Sequence, residues 1–108
     1  MRETILVVED EDDILDVIQY NLTREGFDVL PARTGTEGLK RVRNDDPDLV
    51  LLDLMLPGID GLDVCRRIKE DPLTRATPIV IVSARGEESD VVLGLGLGAD
   101  DYITKPFS

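Results

Sequence analysis

Five side chains in this sequence have the types and positions to do chemistry together: Glu9, Asp10, Asp53, Ser83 and Lys105. Glu9 and Asp10 open a block of acids, EDEDD, that follows directly on the apolar run ILVV. Like charge at the end of a buried-looking strand is either a solvated helix start or a cation site. Crowded carboxylates favour partial protonation unless a cation neutralises them, and hard cations choose oxygen ligands. Asp53 closes the run LVLL, Ser83 closes IVIV, and Lys105 follows DYIT. Singly, each has a plain explanation: a turn cap, a polar stop, a surface charge. Whether they act together depends on the elements that place them.

Those elements alternate. TILVV (4–8) is a short apolar stretch rich in β-branched residues, as in a strand buried on both faces. Residues 13–25 carry Ile14, Val17, Ile18 and Leu22 on one helical stripe and stop at Gly26. FDVLPA (27–32) is a weaker strand signal, expected nearer an edge. Thr34 or Thr36 caps a helix with Leu39 and Val42 that NDDP (44–47) breaks. LVLLD (49–53) is the third strand, LPGIDG (56–61) a turn-rich loop, and 62–70 the third helix. Pro72 and Pro78 bracket a loop before IVIVS (79–83). A fourth helix is expected over 86–98, weakened by about 1 kcal/mol for each of Gly94, Gly96 and Gly98 inside it, and DYIT (101–104) is the fifth strand. This alternation predicts a parallel sheet with helices on both faces. In such sheets ligands bind at the carboxyl ends of strands, near the point where strand order reverses. If the first and third strands are neighbours, three carboxylates meet there with a hydroxyl and an ammonium beside them.

Composition narrows the function. The 108 residues make one domain (1–108), and 42% hydrophobic with 32% charged residues describes an ordinary globular chain. A net charge of -11 with scattered basic residues excludes nucleic-acid binding by this chain and disfavours anionic membranes. The N-terminal apolar run is too short for a signal peptide or a membrane span. The single cysteine, Cys65, lies at helical spacing from Leu62 and Ile68, so it is core filler in a reducing compartment. Absence of histidine removes most nucleophile–base triads and most zinc sites. A cytoplasmic location is expected.

The segments ILVVEDED, LVLLDLMLPGIDG, IVIVSARGEESD and GADDYITKPFS, in this order on strand ends, resemble the receiver domain of bacterial two-component response regulators, most closely the OmpR/PhoB-type subfamily. The resemblance covers essentially the whole chain. It implies a flavodoxin-like (CheY-like), doubly wound, five-stranded parallel sheet in the order 2-1-3-4-5. It implies that Asp53 accepts a phosphoryl group from the phosphohistidine of a sensor histidine kinase. Glu9, Asp10, Asp53 and the Met55 carbonyl would hold Mg²⁺, Lys105 would pair with the phosphoryl oxygens, and Ser83 would donate to one of them. The family's cis bond before Pro106 would aim the lysine. Ser83 moving toward the phosphoryl group would let Tyr102 turn inward, changing the face of the fourth helix and fifth strand. Met55 and Arg85 hold positions that tune hydrolysis of the acyl phosphate. Such a protein is a signalling switch, not a turnover enzyme, and regulates transcription through a DNA-binding output domain not present in this chain. Within the acidic block, Asp12 and Asp13 are then expected to cap the first helix and favour its dipole, with Glu11 left open.

Two departures accompany the resemblance. The chain stops at ITKPFS, so the family's usual fifth helix is expected to be lacking, leaving apolar surface that invites self-association. Val91 and Leu93 replace charged residues of the subfamily's fourth helix; a homodimer through the fourth-helix/fifth-strand face stays open, without its salt bridges. A haloacid-dehalogenase-like phosphohydrolase also combines an aspartyl nucleophile, Mg²⁺, Ser/Thr and lysine, but needs a second aspartate where Met55 stands. A phosphorylation-independent module would lack a pocket residue, and a flavin module would need a phosphate loop after the first strand.

Overall fold

Strands covered on both faces need unbroken aliphatic sequence, and TILVV and IVIVS supply it. In the computed structural model, which describes residues 2–84 and 86–105, they form β1 (Thr4–Val8) and β4 (Ile79–Ser83). With β2 (Asp28–Ala32), β3 (Leu49–Leu52) and β5 (Asp101–Thr104) they build one parallel sheet in the order β2-β1-β3-β4-β5. The expected topology is therefore present. The helices among the described residues are α1 (Asp12–Arg24), α2 (Gly35–Asp45), α3 (Gly61–Glu70) and α4 (Glu88–Gly96). β2 is an edge strand, as its weaker apolar signal suggested. Its Pro31, opposite Val7, cannot donate to a ladder and is tolerated there because only β1 pairs with it.

Alternation along β1 divides the core. Leu6 and Val8 join Val50, Leu52, Ile79 and Ile81 on one face, covered by Val42 of α2 and by Val64, Cys65 and Ile68 of α3. Burial pushes the Cys65 thiol above its ordinary range, consistent with inert filler. Ile5 and Val7 pack against Leu15 on the other face, with Ile18, Leu22, Phe27 and Leu51 around them. Toward the β4–β5 edge of that face, a groove of about 570 Å³ is lined by Val17, Ile18, Leu22, Leu51, Val82 and Ile103.

Local chemistry departs from the sequence expectations in four places. Asp12 and Asp13 do not cap α1: Glu11 is the N-cap, without a side-chain bond, and the two aspartates lie in the first turn, where they favour the helix dipole. The buried stripe of α1 runs through Leu15 rather than Val17, which is 56% exposed. Leu15, Ile18 and Leu22 are spaced by three and four residues, so they share the sheet-facing side, and Val17 falls beyond its margin. α3 starts one residue earlier, at Gly61, because Asp60 accepts the Leu62 N–H at 2.9 Å and caps it. α4 is shorter than expected, so only Gly94 and Gly96 lie inside it, while Gly98 follows with φ 108° in a conformation suited to glycine.

At α2 the choice between two threonines is resolved: Thr34 is the N-cap, and its hydroxyl accepts the Glu37 N–H at 3.1 Å. Thr34→Ala is therefore expected to cost about 1 kcal/mol. Thr36→Ala, inside the first turn, should change stability by less than about half of that. Urea denaturation midpoints of the two variants make the comparison, and equal losses would contradict the capping assignment.

Candidate functional site

Parallel register brings the acids together. Val8 pairs with Leu52, so the next residues, Glu9 and Asp53, emerge side by side at the carboxyl edge. The Asp53 N–H donates to the Val8 carbonyl at 3.0 Å and the Glu9 N–H to the Ala32 carbonyl at 2.9 Å, which extends the ladders past the strand ends. Glu9 and Asp53 are almost fully buried, at 2% and 5% exposure. One carboxylate oxygen from each of Glu9, Asp10 and Asp53 lies within 4.8 Å of the others. All three expected carboxylates thus converge.

The cation among them is Lys105. Its Nζ donates to Glu9 Oε1 at 2.6 Å and to Asp53 Oδ2 at 3.2 Å. Its main-chain N–H donates to the Ser83 carbonyl at 2.8 Å, so the end of β4 holds the base of the lysine stem. Ser83 is itself fully buried. The second carboxylate oxygens also have partners: the Glu11 N–H donates to Glu9 Oε2 at 3.3 Å, and the Met55 N–H to Asp53 Oδ1 at 3.1 Å. The Met55 side chain is exposed. Tyr102 pairs with Ile81 across the β4–β5 ladder and packs half-buried against the larger core. The Lys105–Pro106 bond and Arg85 lie outside the described residues.

Burial is the largest influence on Glu9 and raises its pKa; the Asp53 carboxylate adds to the rise, and Lys105 opposes it. For Lys105, burial works against the ammonium, but the pull of Glu9 and Asp53 outweighs it and the net direction is upward. The pocket is therefore a partly neutralised anionic site with one ammonium for two buried carboxylates.

Sequence reasoning missed two features. It assigned Lys105 to phosphoryl oxygens and named no carboxylate partner, whereas the ammonium bonds Glu9 and, less closely, Asp53. It also treated Gly61 as an ordinary turn residue. A Cβ there would lie 2.4 Å from the Leu54 Cα and 2.5 Å from the Asp53 carbonyl, so only glycine lets the start of α3 abut the Asp53 loop. The dipeptide Asp60–Gly61, a cap followed by a residue without a side chain, was the available signal.

Acids clustered at the β1/β3 switch point of a doubly wound sheet, with an ammonium closing over them, define an α/β domain with a charged carboxyl edge, the place where such sheets bind ligands. Comparison with known proteins identifies it further. The Response regulator receiver domain family matches residues 5–108, and this chain belongs to that family. It is 51% identical over 108 residues to the alkaline phosphatase synthesis transcriptional regulatory protein PhoP of Bacillus subtilis, covering all of this chain and 44% of that protein. The chain therefore spans less than half of that relative. Among solved structures it is similar to a CheY-like response regulator receiver domain protein from Methanospirillum hungatei, with TM-score 0.92, 31% identity, and 100% and 85% of the two chains covered. It is also similar to the BeF3-activated receiver domain of Klebsiella pneumoniae RstA, with TM-score 0.90, 33% identity, and 98% and 88% covered.

The raised Glu9 pKa fixes a sign. A carboxyl whose folded value exceeds its ordinary 4.5 contributes stability that is full below that pH and is lost as pH rises through the folded value. In chelator-treated protein, wild type should therefore lose stability relative to Glu9→Gln as pH climbs from about 4.5 upward. Paired denaturation midpoints across that window test it; a difference independent of pH would contradict the placement of Glu9.

Proposed function

We propose that this chain is a phosphorylation-dependent signalling switch in which Asp53 is the phosphoacceptor. The observation that carries the reading is a nearly buried Asp53 carboxylate set between Glu9 and the Lys105 ammonium at a strand end. The donor is the phosphohistidine of a sensor histidine kinase; with no histidine of its own, the chain cannot be that donor. An Asp53 oxygen attacks phosphorus in line, the N–P bond breaks, and the leaving imidazole takes up a proton as the acyl phosphate forms. Positioning and charge stabilisation are the protein's main contributions to such a transfer.

The donor set fits a hard dication. Glu9, Asp10 and Asp53 offer carboxylate oxygens, and the Met55 carbonyl is assigned as a further ligand. When bound, Mg²⁺ supplies neutralising charge that keeps Asp53 ionised and stabilises the incoming phosphoryl group. Lys105 moves its ammonium from Glu9 toward the phosphoryl oxygens, and Ser83 donates its hydroxyl to one of them. Water later cleaves the acyl phosphate, restoring Asp53 and releasing inorganic phosphate, with Met55 and Arg85 tuning the rate. The chain thus promotes its own reset and turns over no external substrate.

The readout is the face of α4 and β5, with Ser83 and Tyr102 as the switch pair. That face acts on an output domain or on a second copy of the chain, and DNA is reached only through the output domain. The 51% identity to a transcriptional regulatory protein, over all of this chain and 44% of that protein, supports a role in transcription. No helix among the described residues is long and apolar enough to cross a membrane; we assign the protein to the cytoplasm with its kinase partner's catalytic domain.

Incubation with a small-molecule phosphodonor followed by intact mass tests the chemistry. One phosphoryl adduct is expected, dependent on Mg²⁺, absent in Asp53→Asn, and formed at least about tenfold more slowly in Lys105→Ala, a loss of about 1.4 kcal/mol of transition-state stabilisation. A folded wild-type chain that takes no adduct would refute the phosphoacceptor role, and an adduct persisting in Asp53→Asn would move it to another residue.

A further inference from the structure

α4 meets the rest of the domain through its backbone more than through its side chains. Its buried residue is Gly94, whereas Val92, Leu93 and Leu95 remain 62%, 51% and 43% exposed. A Cβ added at Gly94 would lie 2.9 Å from Cδ1 of Ile81 and 3.2 and 3.3 Å from Cδ2 and Cε2 of Tyr102. The tyrosine ring and the β4 isoleucine therefore occupy the space a side chain at 94 would need. At Gly96, two residues further along the helix and also without a side chain, a Cβ would meet nothing within 4 Å. The two glycines have the same propensity cost and opposite surroundings.

Besides that contact, Val91 is half-buried and the C-cap Leu97 packs on the larger core, but the helix ends add little. Its N-cap, Glu87, makes no side-chain capping bond, and its last turn carries no basic residue. Nine residues with two internal glycines are too few to hold a helix without tertiary support. What lies beneath Gly94 consequently decides where α4 sits.

We infer that Gly94 is a positioning residue that couples the Tyr102 ring to the seat of α4. The ring is the cushion on which the helix backbone rests, so ring and helix change place together. As a signalling device this rests on the phosphoacceptor reading; the packing itself does not. When Ser83 is drawn toward a phosphoryl group and Tyr102 turns, the support under Gly94 changes and α4 re-seats, presenting Val92, Leu93 and Leu95 differently. Gly94 supplies the clearance for that movement because it offers the ring no side chain to strike.

The sequence contains two tyrosines, so Tyr20→Phe leaves Tyr102 as the sole ring reporter in ¹³C-tyrosine NMR. In that background Gly94→Ala should shift the Tyr102 ring signal before any phosphodonor is added. It should also speed hydrogen exchange of the α4 amides about tenfold, the scale of an overpacked contact. With phosphodonor and Mg²⁺, the wild-type shift of the ring signal should be reduced at least about twofold in Gly94→Ala, at an unchanged level of Asp53 adduct by intact mass. Gly96→Ala is the control: an unchanged ring signal and α4 exchange slowed about fivefold, the propensity gain alone. In Tyr102→Ala, α4 exchange should rise, and adding Gly94→Ala should then raise it no further. Gly94→Ala behaving like Gly96→Ala, or accelerating exchange equally with and without Tyr102, would overturn the coupling. If Gly94→Ala does not fold, unchanged α4 exchange in Tyr102→Ala overturns it instead. An Asp53 that takes no adduct in either protein would refute the phosphoacceptor reading while the exchange comparison still decides the coupling.

Discussion

Two buried carboxylates on adjacent strand ends share one ammonium, and much of the domain is arranged around that imbalance. Register makes it unavoidable: once Val8 pairs with Leu52, Glu9 and Asp53 must follow side by side. Neither side chain can relieve the repulsion by turning to solvent, because both are nearly buried. Two unit charges about 4 Å apart interact by about 4 kcal/mol at an effective dielectric constant of about 20. That is a large part of the 5–15 kcal/mol by which domains are roughly stable. Lys105 relieves part of that repulsion through its bonds to Glu9 and Asp53. The site is a stored tension that, in the proposed function, a dication or a phosphoryl transfer would redistribute.

Such a site needs a rigid frame, and the frame lies on one side of the molecule. β1, β3 and β4 contribute Leu6, Val50, Leu52, Ile79 and Ile81, all essentially inaccessible, and α3 locks onto them through Val64, Cys65 and Ile68. Lys69 extends that lock across the lower edge, donating to the Thr77 carbonyl at 2.7 Å and lying 3.4 Å from Asp100. Asp100 in turn accepts the Ile79 N–H at 2.7 Å. The β5 side is different in kind. Ile103 is 43% exposed and α4 buries a glycine where other helices bury branched side chains. Low local burial is the physical signature of a segment that opens at less cost than the whole domain.

How much of this was legible in the sequence follows from range. Strand identity was, because continuous β-branched runs such as TILVV and IVIVS report burial on both faces directly. The convergence of Glu9, Asp10 and Asp53 was legible once parallel topology was granted, since each acid sits immediately after its run. The Lys105–Glu9 bond was not, because it joins residues 96 apart and depends on where a stem points after the chain has closed. Val17 was misplaced on α1 because two overlapping apolar stripes exist and only the sheet selects between them. The neighbours of Gly61 and Gly94 were hidden for a related reason: a missing side chain records nothing about what fills its place.

The short distance between site and readout completes the physical picture. Tyr102 and Lys105 lie at nearly opposite ends of one short strand segment, and Ile81 and Ser83 occupy the neighbouring strand in register with Tyr102 and Thr104. Two rungs of a strand span about 6.6 Å. Ser83 at the carboxyl edge therefore lies within about one side-chain length of the rung that carries the ring beneath Gly94, so the proposed switch needs no long relay through the core. The rigid β1–β3–β4 frame keeps the acids in place while charge is exchanged. The β5–α4 flank is more lightly buried, and one of its contacts is a ring resting on bare backbone. In the proposed switch, stiffness on one side and a glycine seat on the other turn a local change of charge into a change of surface.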